Sequence, residues 1–509
     1  MTKLEAVLEI GSTAARLLVA EMYDDGTWKV IDQASMPIMF GHDVFTGGSI
    51  SRDSLLQCLQ ILNRFREQLG AWGIGPEHTT VIATNALREA RNRDAVVDRI
   101  LVKTGFPVRV IDGIEENRLM YLATSNCLKT GKIDFLAINS LILEVGGGST
   151  EMLLIENGKI AAAHSLGLGT VRVNELIKSI AARPKDTRRF LEDFVRNTRG
   201  TLNTELNLNT IQQFIALGQD ARFAAEHTGE AVTEHIWQID RAKFEDFVDR
   251  IQTYSAEECV ARFKIPYADA QFLHTSLLTH KMFLQLTKAA VVLVPATNIR
   301  EGVIIGKIWE PQASGRDEFY PQIIASAKRL LQKYRGDEKH AAHVASTALK
   351  LFDALKTELG LDLHSRMLLE TAALLHDIGM FIRAQEHQVH SSYIIRNSEI
   401  FGIPRDDMQI VAKIACFHRG NRPLQDDAEF IVLPRADRVR ILKLTALLRI
   451  ADALDRGHNQ KINAFSLDFR RDMLLIVCKD NHDKALEKLA VAEKSDIFEA
   501  VFGYKVALE

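Results

Sequence analysis

One short pattern occurs twice in this 509-residue chain, and it restricts what the chain can fold into. The first copy, Leu8–Thr13, reads LEIGST, and the second copy, Leu143–Thr150, reads LEVGGGST. Each copy lies between two apolar runs, which is typical of two strands joined by a glycine turn. Because each copy opens a block of alternating strand and helix patterns, we interpret the chain as using one structural unit twice.

Glycine-rich turns of this kind can bind anions. Backbone N–H groups converge on the anion where no Cβ stands in the way, and neighbouring hydroxyls add donors. A carboxylate precedes each turn, Glu9 or Glu144, where a strand-end acid could hold Mg²⁺ or orient water. An ordinary hairpin turn is the alternative interpretation, since glycine is common there. The predicted phosphate-binding loops comprise Gly11, Ser12, Thr13 and Arg16 in the first copy and Gly146, Gly147, Gly148 and Ser149 in the second.

Two segments between the copies carry further charged side chains. Thr84–Asn92 ends a predicted strand and enters a helix close to Arg88, Arg91 and Arg93, and arginine forks suit phosphate oxygens. Asp112–Arg118 places paired acids after a strand, where one could act as general base for an attacking water. The alternative for both is a solvated helix start, because acids are favoured there by the helix dipole alone.

Pattern and composition divide the chain into four predicted segments. Residues 1–130 and 131–310 have α/β character, residues 318–458 are helical, and residues 459–509 form a small α+β appendage. The net charge of -3 gives no general attraction to nucleic acid or to a membrane surface. Five scattered cysteines without a CxxC pair predict reduced thiols in a cytoplasmic protein, and no apolar run is long enough to span a bilayer.

The helical segment contains histidines and aspartates that could bind a metal. His343, His376-Asp377 and Asp452 come from different predicted helices, and imidazoles and carboxylates that converge in a bundle make a good divalent site. His390 and His418 lie between them as possible further ligands. Such a site would suit Mn²⁺, Fe²⁺ or Zn²⁺ through its imidazoles, or Mg²⁺ through its oxygens. The alternative is a set of separate buried histidines with structural hydrogen bonds.

Taken together, these stretches resemble the exopolyphosphatase and guanosine pentaphosphate phosphatase (Ppx/GppA) family of the actin-like superfamily. The resemblance implies an actin-like (ribonuclease H-like) fold of two α/β lobes. It also implies Mg²⁺-dependent hydrolysis of the terminal phosphoanhydride of polyphosphate or guanosine pentaphosphate in the cleft between the lobes, and a homodimer. The stretches that carry it are Glu9–Leu17, Ala83–Asn92, Gly113–Leu119, Glu144–Glu151, Leu166–Thr170 and Arg300–Gly302.

Individual roles follow from the same resemblance. Glu116 matches the base that activates water, Arg88 matches a phosphate ligand, and Glu151 lies beside the second loop to help manage water or metal. Arg300-Glu301-Gly302 is interpreted as structural, as the start of a helix that crosses back onto the first lobe.

The chain departs from the family pattern at both turns. The family usually has Asp where this chain has Glu9 and Glu144, and Asn-Ser where it has Thr13-Ala14. One extra methylene moves a carboxylate by roughly 1.5 Å, and a misplacement of about 1 Å can cost on the order of a hundredfold in rate. Either the metal position has shifted or the cleft is a weaker catalyst.

The helical segment is similar to the His-Asp (HD) phosphohydrolase superfamily, with an apparently complete ligand set. Three hypotheses therefore stay open: an exopolyphosphatase, a guanosine pentaphosphate 5'-phosphatase with the same cleft chemistry, and an HD phosphohydrolase whose first half is a sensor. A non-enzymatic sensor of the same ligands is a further class.

A stripe of basic side chains in the helical segment could bind along a polyanion. It comprises Arg335, Lys339, His340, Arg383, His387, Arg419, Arg422, Arg435, Arg438 and Arg440.

Overall fold

The computed structural model describes residues 2–179, 184–202, 208–309, 313–356, 360–420, 427–478 and 483–509. The chain divides into two compact units, Met1–Phe319 and Tyr320–Glu509. The second unit thus begins close to the predicted start of the helical segment at residue 318.

The first unit contains two sheets with the same core topology. The first sheet has the order β3-β2-β1-β4-β5, and the second has the order β10-β11-β12-β9-β6-β7-β8. In each sheet the first three strands in chain order pair antiparallel, and two later strands add in parallel on the side of the first of them. The order β8-β7-β6-β9-β12 in the second sheet therefore matches the order β3-β2-β1-β4-β5 of the first. The strands are β1 (Lys3–Ile10), β2 (Ala14–Met22), β3 (Trp28–Pro37), β4 (Thr79–Ala83), β5 (Val108–Val110), β6 (Ser140–Val145), β7 (Thr150–Glu156), β8 (Lys159–Leu166), β9 (Gln213–Leu217), β10 (Glu230–Thr233), β11 (Ile236–Asp240) and β12 (Val291–Pro295).

Helices pack on these sheets and bury one core around each. Strand β9 is buried along its whole length and is almost entirely apolar, as expected for a strand covered on both faces. Strand β1 is buried from Glu5 to Ile10, and this stretch includes the two buried acids Glu5 and Glu9. The helices are α1 (Phe40–Gly47), α2 (Arg52–Ala71), α3 (Asn85–Glu89), α4 (Arg93–Thr104), α5 (Gly113–Thr130), α6 (Thr170–Ser179), α7 (Pro184–Leu202), α8 (Gln219–Thr228), α9 (Arg241–Ile251), α10 (Ala256–Phe263), α11 (Tyr267–Gln285) and α12 (Ile299–Trp309).

The last helix of the first unit returns to the first lobe, as the sequence predicts. A Cβ on Gly302 would lie 2.2 Å from the carbonyl oxygen of Leu119, so glycine is required where α12 crosses α5. Lys307, further along α12, pairs with Glu5 of β1 at 2.6 Å. The close packing of α12 on α5 therefore explains why the Arg300–Gly302 stretch of the family pattern ends in glycine.

The second unit is helical and ends in a small sheet. Its helices are α13 (Ala313–Lys333, which begins before the boundary), α14 (Glu338–Ala354), α15 (Leu363–Leu375), α16 (His387–Arg396), α17 (Arg405–Phe417), α18 (Ala428–Ile431), α19 (Arg435–Ala453), α20 (Ala485–Lys494) and α21 (Asp496–Phe502). The sheet has the order β13 (Phe465–Arg470), β14 (Met473–Cys478) and β15 (Lys505–Leu508). In the predicted α+β appendage, α20 and α21 are followed by β15, which is too short to give a sequence signal and pairs in parallel with β14.

Two properties of the whole chain bear on the sequence predictions. The five cysteines are free thiols. In the part of the chain that the structure describes, no helix is both long and apolar enough to cross a membrane.

Candidate functional sites

The two predicted phosphate-binding loops face each other. The same backbone hydrogen bond closes both turns, from Gly11 N to Ala14 O at 3.0 Å and from Gly146 N to Ser149 O at 2.9 Å. A Cβ on Gly147 would lie 3.0 Å from the Cβ of Ser12. The repeated sequence pattern thus forms two equivalent turns in contact at the centre of the first unit.

The start of α6 holds the second loop in place. Thr170 N and Val171 N each donate at 2.9 Å, to the carbonyl oxygens of Gly146 and Gly147. This close approach requires glycine, since a Cβ on Gly169 would lie 2.2 Å from the carbonyl carbon of Gly148. The segment Leu166–Thr170 therefore supports the loop from behind.

Glu9, a predicted Mg²⁺ ligand, is buried between two arginines. Its Oε1 accepts from Arg16 Nη1 at 3.1 Å, and its Oε2 accepts from Arg300 Nη1. Burial alone would raise the pKa of Glu9, but Arg300 and Arg16 more than offset burial and hold it below its usual value. Sequence reasoning missed Arg300 as a member of this site, because its partner lies 291 positions earlier in the chain.

Glu116, the predicted general base, lies in the first turn of α5 against Arg88. The Arg88 Nη1 group donates to Glu116 Oε1 and also to the carbonyl oxygen of Ile111 at 2.7 Å. Burial raises the pKa of Glu116 despite this arginine, and the carboxylates of Glu9 and Asp112 add to the effect. A carboxylate whose pKa is raised is a stronger base than one at its usual value, which suits the predicted role of Glu116.

Glu151 is held by three side-chain donors. Ser149 and Ser165 donate to its Oε1 at 2.8 and 2.7 Å, and Asn117 donates to its Oε2 at 2.9 Å. Burial raises the pKa of Glu151 well above its usual value, and the carboxylate of Glu116 contributes. Asn117 follows Glu116 in the chain, so this bond ties the predicted base to the second loop.

Glu144 completes a set of four carboxylates in the cleft. It is the cross-strand partner of Glu151 in the β6–β7 hairpin, at the position where Glu9 faces Arg16 in the first hairpin. Burial raises the pKa of Glu144 to about 7, and Glu9 and Glu116 add to this. Glu9 and Glu116 have arginine partners, whereas Glu144 and Glu151 have none among the ion pairs of the described residues. Oxygen donors are the ligand type that hard divalent cations prefer, so the chemistry of Glu144 and Glu151 is compatible with such a cation.

Only one of the three predicted fork arginines lies in this site. Arg91 donates to the carbonyl oxygens of Gly47 and Gly48 and anchors a loop. Arg93 pairs with its neighbour Asp94 and is half-exposed. Arg88 differs because α3 is a single short helix whose last turn points Arg88 towards α5.

A second cluster lies in the helical unit. Asp377 is at its centre: its Oδ1 lies 3.5 Å from His376 Nε2, 3.0 Å from His387 Nε2 and 3.4 Å from His418 Nε2. Asp452 Oδ1 lies 3.6 Å from His340 Nε2. The cluster therefore comprises His340, His376, Asp377, His387, His418 and Asp452, and subsets of it are close enough to share one metal ion.

Each imidazole in the cluster is oriented by its other nitrogen. His376 and His418 bond through Nδ1 to the carbonyl oxygens of Ala373 and Ala415, at 2.8 and 2.6 Å. His340 bonds through Nδ1 to Asp455 at 2.8 Å. This arrangement leaves Nε2 facing the cluster, as metal-binding histidines require.

Two of these histidines have a ring nitrogen that is buried without a hydrogen-bond partner among the described residues, as expected of a metal ligand. The Nε2 atoms of His340 and His376 are buried, and neither has a hydrogen-bond partner among the described residues. Burial lowers the pKa of His376 to about 4, so its ring is the neutral form that binds metals. Burial also lowers the pKa of His340, but Asp452 and Asp455 more than offset burial and raise it to about 9, so a metal would have to displace a proton there. The cluster thus offers two orphaned imidazole nitrogens, of which His376 Nε2 is in the metal-binding form.

His343 and His390 are corrections to the predicted ligand set. The structure brings His340 and His387 into the cluster instead, each three residues earlier on the same helix. Three residues turn a helix by about 300° and advance it by about 4.5 Å. The second member of each pair is therefore offset by about 60° and lies almost one turn further along, and neither His343 nor His390 belongs to the groups of described residues that could share one ion. His340 and His387 are thus cluster residues, although the sequence pattern places them in the basic stripe. Arg422, another member of that stripe, lies outside the described residues.

Comparisons with known proteins agree with this architecture. A model of the "Ppx/GppA phosphatase family" matches residues 20–310, and a model of "Ppx/GppA phosphatase, domain III" matches residues 324–491. A guanosine-5'-triphosphate,3'-diphosphate pyrophosphatase of Pseudoalteromonas translucida is 23% identical over 518 residues, 98% of this chain and 91% of that protein. The protein of the same name from Vibrio vulnificus is 23% identical over 82% of this chain and 80% of its own length.

Solved structures show the same fold for the first unit. An exopolyphosphatase from Cytophaga hutchinsonii has a TM-score of 0.53 and 19% identity, over 60% of this chain and 98% of its own. A Ppx/GppA protein from Aquifex aeolicus has a TM-score of 0.50 and 20% identity, over 61% and 99% of the two chains. The family model covers more than half of the chain, and both predicted loops with their supporting residues are assembled. This chain belongs to the Ppx/GppA phosphatase family, whose members hydrolyse phosphoanhydride bonds.

Proposed function

We propose that this chain is an exopolyphosphatase that releases orthophosphate from the end of inorganic polyphosphate in the cleft of its first unit. The observation that carries the proposal is the assembly of two facing glycine loops with Glu116, Arg88, Glu144 and Glu151. The loops offer backbone N–H groups to a terminal phosphate. Arg88, next to the predicted base, suits a phosphate oxygen.

The reaction would use the side chains as follows. Water attacks the terminal phosphorus, the bond to the bridging oxygen breaks, and the shortened chain leaves with that oxygen. Glu116 accepts the proton of the attacking water, and Asn117 and the two serines hold Glu151 beside it. Glu144 and Glu151 would hold Mg²⁺, which supplies charge neutralisation for the phosphate oxygens.

The longer acid at position 9 bears on this assignment. Both carboxylate oxygens of Glu9 accept hydrogen bonds from arginines, Arg16 and Arg300. Glu9 is therefore less available as a metal ligand than Glu144. We therefore place the cation nearer to the second loop than the sequence pattern alone suggests. Arg16, predicted as a phosphate ligand, donates to Glu9 through Nη1, and a guanidinium has further N–H donors that could bind a phosphate oxygen.

A second candidate shares this chemistry. Relatives that align with nearly the whole chain are named for guanosine-5'-triphosphate,3'-diphosphate hydrolysis, which favours a guanosine pentaphosphate 5'-phosphatase. The third candidate is a metal-dependent phosphohydrolase in the helical unit, and the assembled His/Asp cluster favours it. A cytoplasmic homodimer remains our expectation for either activity.

One assay separates these candidates. Orthophosphate release with Mg²⁺ is measured from long-chain polyphosphate and from guanosine pentaphosphate, for the native protein, Glu116→Gln and Asp377→Asn. We expect Glu116→Gln to lose 10²–10⁴-fold in rate, the usual contribution of a general base, while Asp377→Asn retains activity. The reverse pattern would move the chemistry to the helical unit.

A further inference from the structure

The C-terminal appendage contributes one side chain to the His/Asp cluster of the helical unit. Lys494, the last residue of α20, places its ammonium group on Asp452 Oδ2, and the side chain is almost fully buried. The other oxygen, Asp452 Oδ1, faces the Nε2 atoms of His340 and His376 at 3.6 and 3.8 Å. One carboxylate therefore connects the appendage to the cluster.

The backbone of Lys494 is held in place by a buried arginine. Arg449 of α19, which is 2% exposed, donates through Nε to the Lys494 carbonyl oxygen at 3.1 Å and through Nη2 to Asp496 at 2.7 Å. Its Nη1 donates to the carbonyl oxygens of Phe417 and Gly420 at 3.3 Å. The end of α20 is thus fixed to the end of α17, next to His418.

A cavity of about 770 Å³ opens beside the same lysine. Basic groups on its wall include Lys494, Arg419 and Arg456, against the acids Glu386 and Glu493, and His387 forms part of the wall. His387 Nε2 also lies 3.0 Å from Asp377, so the cavity adjoins the cluster. A volume of roughly 300–1,000 Å³ is typical of small-molecule sites, and a cationic wall favours an anion.

We propose that the appendage completes this site: Lys494 orients Asp452 for the metal and, with Arg419 and Arg456, makes the cavity a binding site for a small phosphorylated molecule of nucleotide size. The proposal rests on the third candidate function above, since it assigns a ligand to that site. A carboxylate with one oxygen held by an ammonium presents the other in a fixed direction, which is how outer partners tune metal ligands. A volume of about 770 Å³ matches a nucleotide-sized ligand.

The test compares the full-length native protein with Lys494→Met, Lys494→Arg, Arg419→Gln and the control Lys488→Met. Lys488 lies on the same helix but is exposed. Bound Mn²⁺ is measured by equilibrium dialysis with elemental analysis, and binding of AMP, GMP and orthophosphate by calorimetry. Melting temperature and orthophosphate release from polyphosphate are recorded in parallel to report folding and the cleft.

For Lys494→Met we expect Mn²⁺ affinity to fall about 10–100-fold, as for other outer partners of metal ligands, and AMP and GMP binding to fall at least about tenfold. Lys494→Arg should recover part of both losses, and Lys488→Met should match the native protein. Arg419→Gln should weaken nucleotide binding and leave Mn²⁺ binding unchanged. This last variant tests the cavity even if Lys494→Met fails to fold.

Three outcomes would overturn the proposal. Equal Mn²⁺ and nucleotide binding by the native protein, Lys494→Met and Arg419→Gln would remove the role of both residues while the metal site stands. A native protein that binds neither Mn²⁺ nor nucleotides would end the third candidate function and this inference together, and the cleft activity would be unaffected. Binding of orthophosphate without any binding of AMP or GMP would show that the ligand class is wrong.

Discussion

Arg172 of α6 donates through Nη2 to both carboxylate oxygens of Glu89 on α3, each at 2.6 Å. The same arginine donates through Nε to the carbonyl oxygen of Gly148 at 3.0 Å, and its guanidinium lies 4.4 Å above the ring of Phe45. Helix α6 belongs to the second sheet's block, and α3 and Phe45 belong to the first. One side chain therefore fixes the second phosphate loop to the opposite lobe.

We expect Arg172→Gln to impair catalysis much more than stability. Both partners are partly exposed, and such pairs contribute only about 0–1 kcal/mol. Displacement of the Gly148 loop by about 1 Å could cost on the order of a hundredfold in kcat/KM. The measurement is steady-state polyphosphate hydrolysis beside thermal melting. Arg188→Gln, which breaks the exposed Arg188–Glu192 pair, is the control; equal kinetics for the two variants would contradict the role of Arg172.

Two glycines in one short segment give a sharper test of the loop geometry. In Gly169→Ala the new methyl group meets the Gly148 backbone at 2.2 Å, whereas nothing lies within 4 Å of a methyl group on Gly167. Backbone cannot yield as a side chain can, so we expect Gly169→Ala to lose most polyphosphate hydrolysis and Gly167→Ala to keep it. Initial rates with purified, folded protein decide the matter. Similar rates for both variants would mean that the contact of Gly169 with Gly148 does not determine the position of the second phosphate-binding loop.

The corrected ligand set makes an opposite prediction for two histidines on α14. His340→Gln should lower bound Mn²⁺ per chain, because its orphaned Nε2 faces Asp452 in the cluster. His343→Gln should leave bound Mn²⁺ unchanged, since His343 lies almost one turn further along the helix and belongs to none of the groups of described residues that could share one ion. Elemental analysis after dialysis against the metal provides the readout. Loss of metal from His343→Gln alone would restore the sequence-based assignment.

His280 should make the first unit sensitive to mild acid. It is buried on α11, and burial lowers its pKa from 6.5 to about 4. The unfolded chain then binds a proton that the folded chain refuses, so stability is lost as pH falls from about 6.5 towards about 4. The slope contributed is at most about 1.4 kcal/mol per pH unit.

Tryptophan fluorescence can follow this effect in the first unit alone, because Trp28, Trp72, Trp237 and Trp309 all precede Tyr320. Urea unfolding would be compared between the native protein and His280→Gln from pH 4.5 to 7. The variant should be less stable near neutral pH but should show a shallower decline towards acid. Parallel pH profiles would mean that His280 does not carry the linkage.

Local pattern sufficed for the repeated architecture. The LEIGST and LEVGGGST turns, the strands on either side of them and the helix that starts at Arg300–Gly302 are all determined by apolar periodicity and by glycine where no Cβ fits. The family resemblance supplied the roles of Glu116, Arg88 and Glu151, and the structure brings these three side chains together in one cleft. It also brings His376, Asp377, His418 and Asp452 to one cluster.

Other features depended on contacts between distant segments. The Arg300–Glu9 pair and the Lys494–Asp452 pair join residues far apart in the chain, and no local pattern records which charges will meet. In the pairs His340/His343 and His387/His390, both members suit a metal chemically. The sequence determined which groups this protein has available for phosphate and metal, through strand turns and helix periodicity. Only the tertiary structure decided which helix face points inward, because that depends on how whole helices pack against one another.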